Sequence, residues 1–334
     1  MKFLFLILSL VLAACSPGGI PALTPSPLPP SATPIQPTAS PTITLTPTPV
    51  PTATPTVTPT PKPLVPNFEH IVIIVFENKE FHRVIGNKSM PVYNQFARDY
   101  TLLTQHYAVT HPSLPNYLAM IGGDTFGINR NCEDCFINAP SLPDLIEASG
   151  RTWRTYQEDM PRPCFRGSWG LYAQKHNPFM YFDPIRLNRE RCEQHVRPLT
   201  DLYPDLAAGA LPNFVFITPN LCNSAHDCWL GITDAWLAEQ MKALLDYFSL
   251  HTQSFLVILT WDEGDTEAGC CGMKKGGGRI ATVLISPYVK NGFEDDTPYT
   301  LYSLLKTIAE AWGLPYLGHA ASDDHALIVK PWKE

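Results

Sequence analysis

The 334-residue chain has no apolar run of the roughly 20 residues needed to cross a bilayer as a helix. The run Phe3 to Leu12 is about half that length, which excludes a span there but not a targeting segment. Charge is scarce as well, at 16% of residues, and its balance is acidic at -7. Nucleic acid and anionic membrane surfaces reward basic patches, so neither is expected as the main partner. No internal repeat is evident. Cys132-x-x-Cys135 lacks a second ligand pair at a standard zinc spacing, and Gly276-Gly277-Gly278 lacks the spacing of a nucleotide-binding loop.

What is present divides the chain into three. In residues 1–15, Lys2 precedes the apolar run, and Ala13-Ala14-Cys15 closes it, as in a secretory signal peptide. Leu12-Ala13-Ala14-Cys15 resembles a bacterial lipobox, which implies cleavage before Cys15, lipidation of its thiol and a membrane anchor for an exported protein. Residues 16–66 hold 17 of the 34 prolines, many Thr-Pro units and a single charge, Lys62. Such a segment cannot bury a core and reads as a disordered stalk with extended polyproline geometry. At roughly 3 Å per residue it reaches some 150 Å. Residues 67–334 contain all seven tryptophans and have the composition of one globular domain. Eight cysteines follow Cys15, an even number that reads as disulfides in an exported chain. Short spacing favours Cys132–Cys135 and Cys222–Cys228, leaving Cys164–Cys192, while adjacent Cys270 and Cys271 pair with each other or elsewhere.

Ile71 to Phe76, Phe255 to Trp261 and Ile280 to Ser286 are continuous β-branched or aromatic runs, the pattern of strands buried on both faces. Helical spacing places Leu237, Met241, Leu244, Leu245 and Phe248 on one face, and Leu304, Leu305, Ile308 and Trp312 on another. Alternating strands and helices predict an α/β fold, a three-layer α/β/α sandwich with a mostly parallel central sheet. Ligands gather beyond the carboxyl ends of such strands.

Glu77-Asn78 follows the first run and Asp262-Glu263 the second. Carboxylate and amide oxygens suit a hard divalent cation, although either pair alone could simply cap a turn. Ser113, in His111-Pro112-Ser113-Leu114-Pro115-Asn116-Tyr117, is expected at the N-cap of a helix. Free amides and the helix dipole favour an anion there. Serine is also a common plain cap. Cys222 to Cys228 forms a loop presenting His226 beside Asp227, suited to binding phosphate or protonating a leaving oxygen, or else to a structural hydrogen bond.

Taken together, these segments resemble the bacterial phosphoesterase family that contains acid phosphatases and phospholipases C. Glu77-Asn78, His111 to Tyr117, Lys175-His176-Asn177-Pro178, the Cys222 to Cys228 loop, Thr260 to Gly264, Gly278 to Pro287 and Tyr302 to Ile308 occur in family order. The resemblance implies an alkaline-phosphatase-like fold and hydrolysis of a phosphate ester through a phosphoserine. It implies a metal ion, of unspecified identity, held by Glu77, Asn78, Asp262 and Glu263, with Ser113 as nucleophile. Asn116 would hydrogen-bond a phosphoryl oxygen, and His226 the phosphoryl group or leaving oxygen. His111 would orient the turn before Ser113, with His176 and Asp227 as further site residues. The chain departs from the pattern at Ser224, where an acidic residue is common, and at Leu301, where a histidine is. Asp323-Asp324-His325 has no counterpart and reads as a solvated tail. Phospholipase C activity and an inactive surface-binding lipoprotein are the alternatives. A sulfatase is disfavoured because Tyr117 stands where its signature carries arginine.

Overall fold

The computed structural model describes residues 63–333. Among these, the strands are β1 (His70–Phe76), β2 (Thr101–Tyr107), β3 (Trp153–Gln157), β4 (Val196–Pro198), β5 (Phe214–Thr218), β6 (Phe255–Trp261), β7 (Arg279–Ile285), β8 (Phe293–Asp295) and β9 (Tyr299–Thr300). The α-helices are α1 (Phe81–Val84), α2 (Pro91–Asp99), α3 (Ser113–Gly122), α4 (Leu142–Ala148), α5 (Asp183–Arg186), α6 (Arg189–His195), α7 (Leu202–Ala207), α8 (Leu230–His251) and α9 (Leu301–Trp312).

The strands form one sheet in the order β4-β3-β5-β1-β6-β7-β2-β8, with β9 also paired to β2. Strand β7 runs antiparallel to both its neighbours, and every other pairing is parallel. The central strands β1 and β6 are buried along their whole length, which is why their sequences are apolar without alternation. Each isoleucine or leucine so buried contributes about 1.5–3 kcal/mol.

Ring contacts place the two helical layers. Phe216 meets Tyr117 of α3, and Phe214, two residues back on the same face, meets Trp312 of α9. From β1, Phe76 meets Tyr93 of α2 and Trp236 of α8. Ile73, three residues before Phe76, pairs in register with Phe216, so the two aromatic sets lie on opposite faces. The result is a three-layer α/β/α sandwich. Helix α9 begins at a capping box of Thr300 and Ser303 and stops at Gly313, whose φ of 63° suits a residue without Cβ.

Because β7 alone is reversed, β1, β2, β3, β5 and β6 all end at one edge of the sheet, where the loops meet. Two boundary expectations change. Val65, assigned to the stalk, is buried in the core. His325, assigned to a solvated tail, is 5% exposed, and its Nδ1 lies 3.0 Å from Thr300 Oγ1. Cys15 lies outside the described residues. Within them, no helix is long and apolar enough to cross a membrane.

Candidate active site

Strands β1 and β6 are neighbours, with Phe76 opposite Trp261, so the residues one step beyond them are delivered side by side. The Asp262 amide donates to Phe76 O at 2.9 Å, and Asn78 N donates to Asp262 Oδ1 at 2.9 Å. Asn78 takes φ 56°, a left-handed turn that asparagine tolerates. Its side-chain Nδ2 lies 3.5 Å from Glu77 Oε2, which places the Asn78 amide beside that carboxylate.

The loop after β2 brings Ser113 to the same place. Its Oγ is 3.2 Å from Glu77 Oε2 and 3.2 Å from Glu263 Oε1. The hydroxyl has one proton and can satisfy one of them at a time. Pro112, not Ser113, occupies the N-cap position, so the serine is the first residue of α3 and not its cap. Asn116 also differs from expectation. Its Oδ1 accepts from Val109 N at 3.0 Å and Thr110 N at 3.2 Å, and its Nδ2 donates to Thr110 O at 2.7 Å. The side-chain amide thus braces the turn before Ser113 through local backbone donors and acceptors.

His111 joins two of these loops. Nδ1 is 2.6 Å from Glu263 Oε2, and Nε2 is 2.9 Å from Thr266 O. The Glu263 hydrogen bond raises its pKa to about 9, so the ring is an imidazolium donating at both ends.

His176 stacks on Tyr117 and presents Nε2 to Glu77 Oε2 at 3.2 Å without an aligned hydrogen bond. Burial lowers its pKa well below the ordinary value, so the ring is neutral. Lys175 Nζ donates to His226 Nε2 at 3.0 Å, which leaves the Nδ1 proton for Asp227 Oδ1 at 2.6 Å. The Cys222–Cys228 disulfide closes the His226 loop, and Ser224 O accepts the Glu77 amide at 2.9 Å, docking that loop on the site. The other expected disulfides, Cys132–Cys135 and Cys164–Cys192, are also formed, and Cys270 pairs with Cys271.

Two residues escaped the sequence reading. Tyr117 OH donates to Glu77 Oε1 in a short hydrogen bond. Glu80, 5% exposed, accepts from Asp265 N at 2.9 Å, Arg279 N at 2.9 Å, Thr266 N at 3.3 Å and Thr266 Oγ1 at 3.2 Å. It thereby ties the loop after β1 to the loop carrying Asp262 and Glu263. A Cβ at Gly264 would lie 2.1 Å from Glu80 Oε2, and one at Gly278, where φ is 89°, would lie 2.6 Å away. The glycines flanking that loop were the available signal. Arg279 lays its guanidinium over the Phe81 ring at 4.2 Å.

Glu77, Asp262 and Glu263 are all buried, at 0%, 0% and 6% exposure, and only Glu263 has a cationic partner. Burial and mutual repulsion raise the pKa of Glu77 well above the ordinary value, and that of Asp262 to about 7. Asp262 Oδ2 is buried with no hydrogen-bond partner. Ligand atoms of Glu77, His176 and His226 also lie within 4.8 Å of one another. Orphaned carboxylate oxygen, unbalanced negative charge and a neutral imidazole are the donor set a divalent cation takes.

A sequence profile of the Phosphoesterase family matches residues 87–315. The chain belongs to that family. It is 35% identical over 266 residues to a phosphate-repressible acid phosphatase of Penicillium chrysogenum, covering 75% of this chain and 60% of that protein. It is 33% identical over 265 residues to a phosphatidylinositol-3-phosphatase of Mycobacterium tuberculosis, covering 77% of this chain and 81% of that one. The chain thus spans about three fifths of the length of the fungal relative. The fold matches a protein of the alkaline phosphatase superfamily from Vibrio parahaemolyticus, with a TM-score of 0.53 at 12% identity over 79% of this chain and 73% of that one.

Proposed function

We propose that this family member hydrolyses phosphate monoesters through a covalent phosphoserine at Ser113. The observation that carries the proposal is the placement of Ser113 Oγ, 3.2 Å from two carboxylates, among three buried acids with too little positive charge to balance them. A divalent cation held by Glu77, Asn78, Asp262 and Glu263 would offset that charge, lower the pKa of the serine hydroxyl and stabilise charge on phosphoryl oxygens.

The residues of the chain divide the remaining work. As Oγ bonds phosphorus, its proton passes to Glu77 Oε2 or Glu263 Oε1, the two acceptors in reach. The bond from phosphorus to the ester oxygen breaks, and that oxygen leaves as an alcohol with a proton supplied from the Lys175–His226 pair. Water then attacks the phosphoserine, giving a proton to the Lys175–His226 pair, while the carboxylate returns its proton to Oγ as the bond from phosphorus to Oγ breaks and phosphate is released. Tyr117 and His111 hold Glu77 and Glu263 in place. Asn116 shapes the turn that presents Ser113.

Export fits the disulfides, which persist in oxidising compartments. The stalk and a lipid anchor at Cys15 would hold the enzyme at the cell surface. The function is tested with a phosphate monoester, its diester and phosphatidylcholine, each assayed with added Mg²⁺, Mn²⁺, Ca²⁺ or Zn²⁺. Monoester turnover that disappears in a folded Ser113→Ala variant is expected. Preferential cleavage of phosphatidylcholine would instead indicate a phospholipase C, and no turnover with any metal would indicate a binding lipoprotein.

A further inference from the structure

Beside Asn78 lies a cavity of about 510 Å³ whose wall includes Lys79, Arg83, Asp265 and Trp229. Asn78, whose backbone amide donates to Asp262 Oδ1, lines this cavity, which therefore neighbours the site through that residue. Trp229 directly follows Cys228 of the pinned His226 loop and is the N-cap residue of α8, yet 65% of it is exposed. A large ring this exposed buries little apolar surface in the fold.

Its position is nevertheless built. Gly231 is the second residue of α8, and a Cβ there would meet indole Cζ3, Cη2 and Cε3 at 2.1, 2.3 and 2.8 Å. The indole therefore lies against a helix surface kept bare for it. Glycine is unfavourable within a helix, so its presence here trades local stability for the seat of that ring. Across the cavity, Lys79 Nζ donates to Ala225 O at 2.8 Å, and Arg83 Nε lies 3.5 Å from Asp265 Oδ2. Lys79 and Arg83 thus bring positive charge to a wall that borders the acids Glu77, Asp262 and Asp265.

We propose that this cavity is the leaving-group subsite, with Trp229 as a stacking platform for a planar aromatic leaving group such as an aryl alcohol or a nucleoside. The inference rests on the monoesterase reading above and narrows its substrate class. Flat π-systems stack on an indole face, whereas a small aliphatic alcohol gains little from it.

The full chain is assayed on phenyl phosphate, adenosine 5′-monophosphate and glycerol 2-phosphate, as wild type, Trp229→Ala and Gly231→Ala. Stacking of about 1–3 kcal/mol corresponds to roughly 5- to 150-fold in kcat/KM. Trp229→Ala is expected to lower, by about that factor, the kcat/KM of ring esters relative to glycerol 2-phosphate. Gly231→Ala is expected to do the same by displacing the indole, with no loss of thermal stability because alanine is the better helix former. A change confined to the nucleotide or to phenyl phosphate supports the platform and identifies which ring it serves. Unchanged ratios in both variants overturn the subsite while leaving the monoesterase intact. Absence of turnover of any ester by the wild type overturns the function and the subsite together.

Discussion

Replacing Glu80 by glutamine is the sharpest structural perturbation available, because it changes one atom in a side chain that touches no reacting group. The Glu80 carboxylate uses both oxygens, Oε2 for Asp265 N and Thr266 N, and Oε1 for Arg279 N and Thr266 Oγ1. A glutamine must turn its NH₂ toward one of these donor pairs. One strong hydrogen bond to a charged acceptor and one longer bond are then lost at that end, about 2–4 kcal/mol in all. In a domain of this size the melting temperature should fall by roughly 4–16 °C. The loop released carries Asp262 and Glu263, so kcat/KM should drop by some 10²-fold even where the variant is fully folded, the scale expected for a misplacement of about 1 Å. Urea unfolding and monoester turnover at 25 °C read the two effects separately. Stability within about 0.5 kcal/mol of wild type, as for a neutral surface change, with full activity, would refute the role of Glu80 as the clasp between the two loops.

The remaining predictions concern other groups. Burial pushes His106 down to about 4, so between that value and its ordinary 6.5 the unfolded chain binds a proton that the folded chain does not. Stability should therefore decline as pH falls through this window, by about 3 kcal/mol, and His106→Gln should flatten the dependence in acid-unfolding curves. Stripping metal with a chelator should lower the melting temperature and abolish turnover, both restored by adding a divalent cation back, because metal binding to the folded state adds to stability; a melting temperature indifferent to metal would count against the carboxylate site. Tyr117→Phe leaves buried Glu77 Oε1 without its donor and should cost about 1–3 kcal/mol together with most activity; a variant equal to wild type on both counts would remove Tyr117 from the account.

Much of the fold was legible because burial on both faces leaves a plain mark. The runs starting at Ile71, Phe255 and Ile280 each lie within one residue of a strand, and α9 spans the residues its apolar spacing marks. Helix α8 begins at Leu230, ahead of the apolar face that starts at Leu237, and its early buried positions include the polar Thr233 and Asp234, which leave no apolar stripe. Strand β2, Thr-Leu-Leu-Thr-Gln-His-Tyr, was missed, since it carries polar residues on an outer part of the sheet. The reversal of β7 leaves no trace in composition. At the site, Glu77, Ser113, Asp262 and Glu263 stood out because each follows a strand or opens a helix, and the structure brings them together. Glu80 did not, as its partners lie 185 to 199 positions away and a lone glutamate in a loop looks like any other. Asn116 was read as aiming outward when the nearer backbone groups of residues 109–112 claim it.

The claim on which the chemistry depends is that the hydroxyl of Ser113 carries the phosphoryl group between two displacements. Rapid acid quenching during turnover of phenyl phosphate, followed by mass spectrometry of the peptide holding residue 113, tests it directly. A phosphoryl group on Ser113, growing in before product accumulates and absent from Ser113→Ala, is the result predicted. An active enzyme in which that serine stays unmodified at every quench time would contradict it.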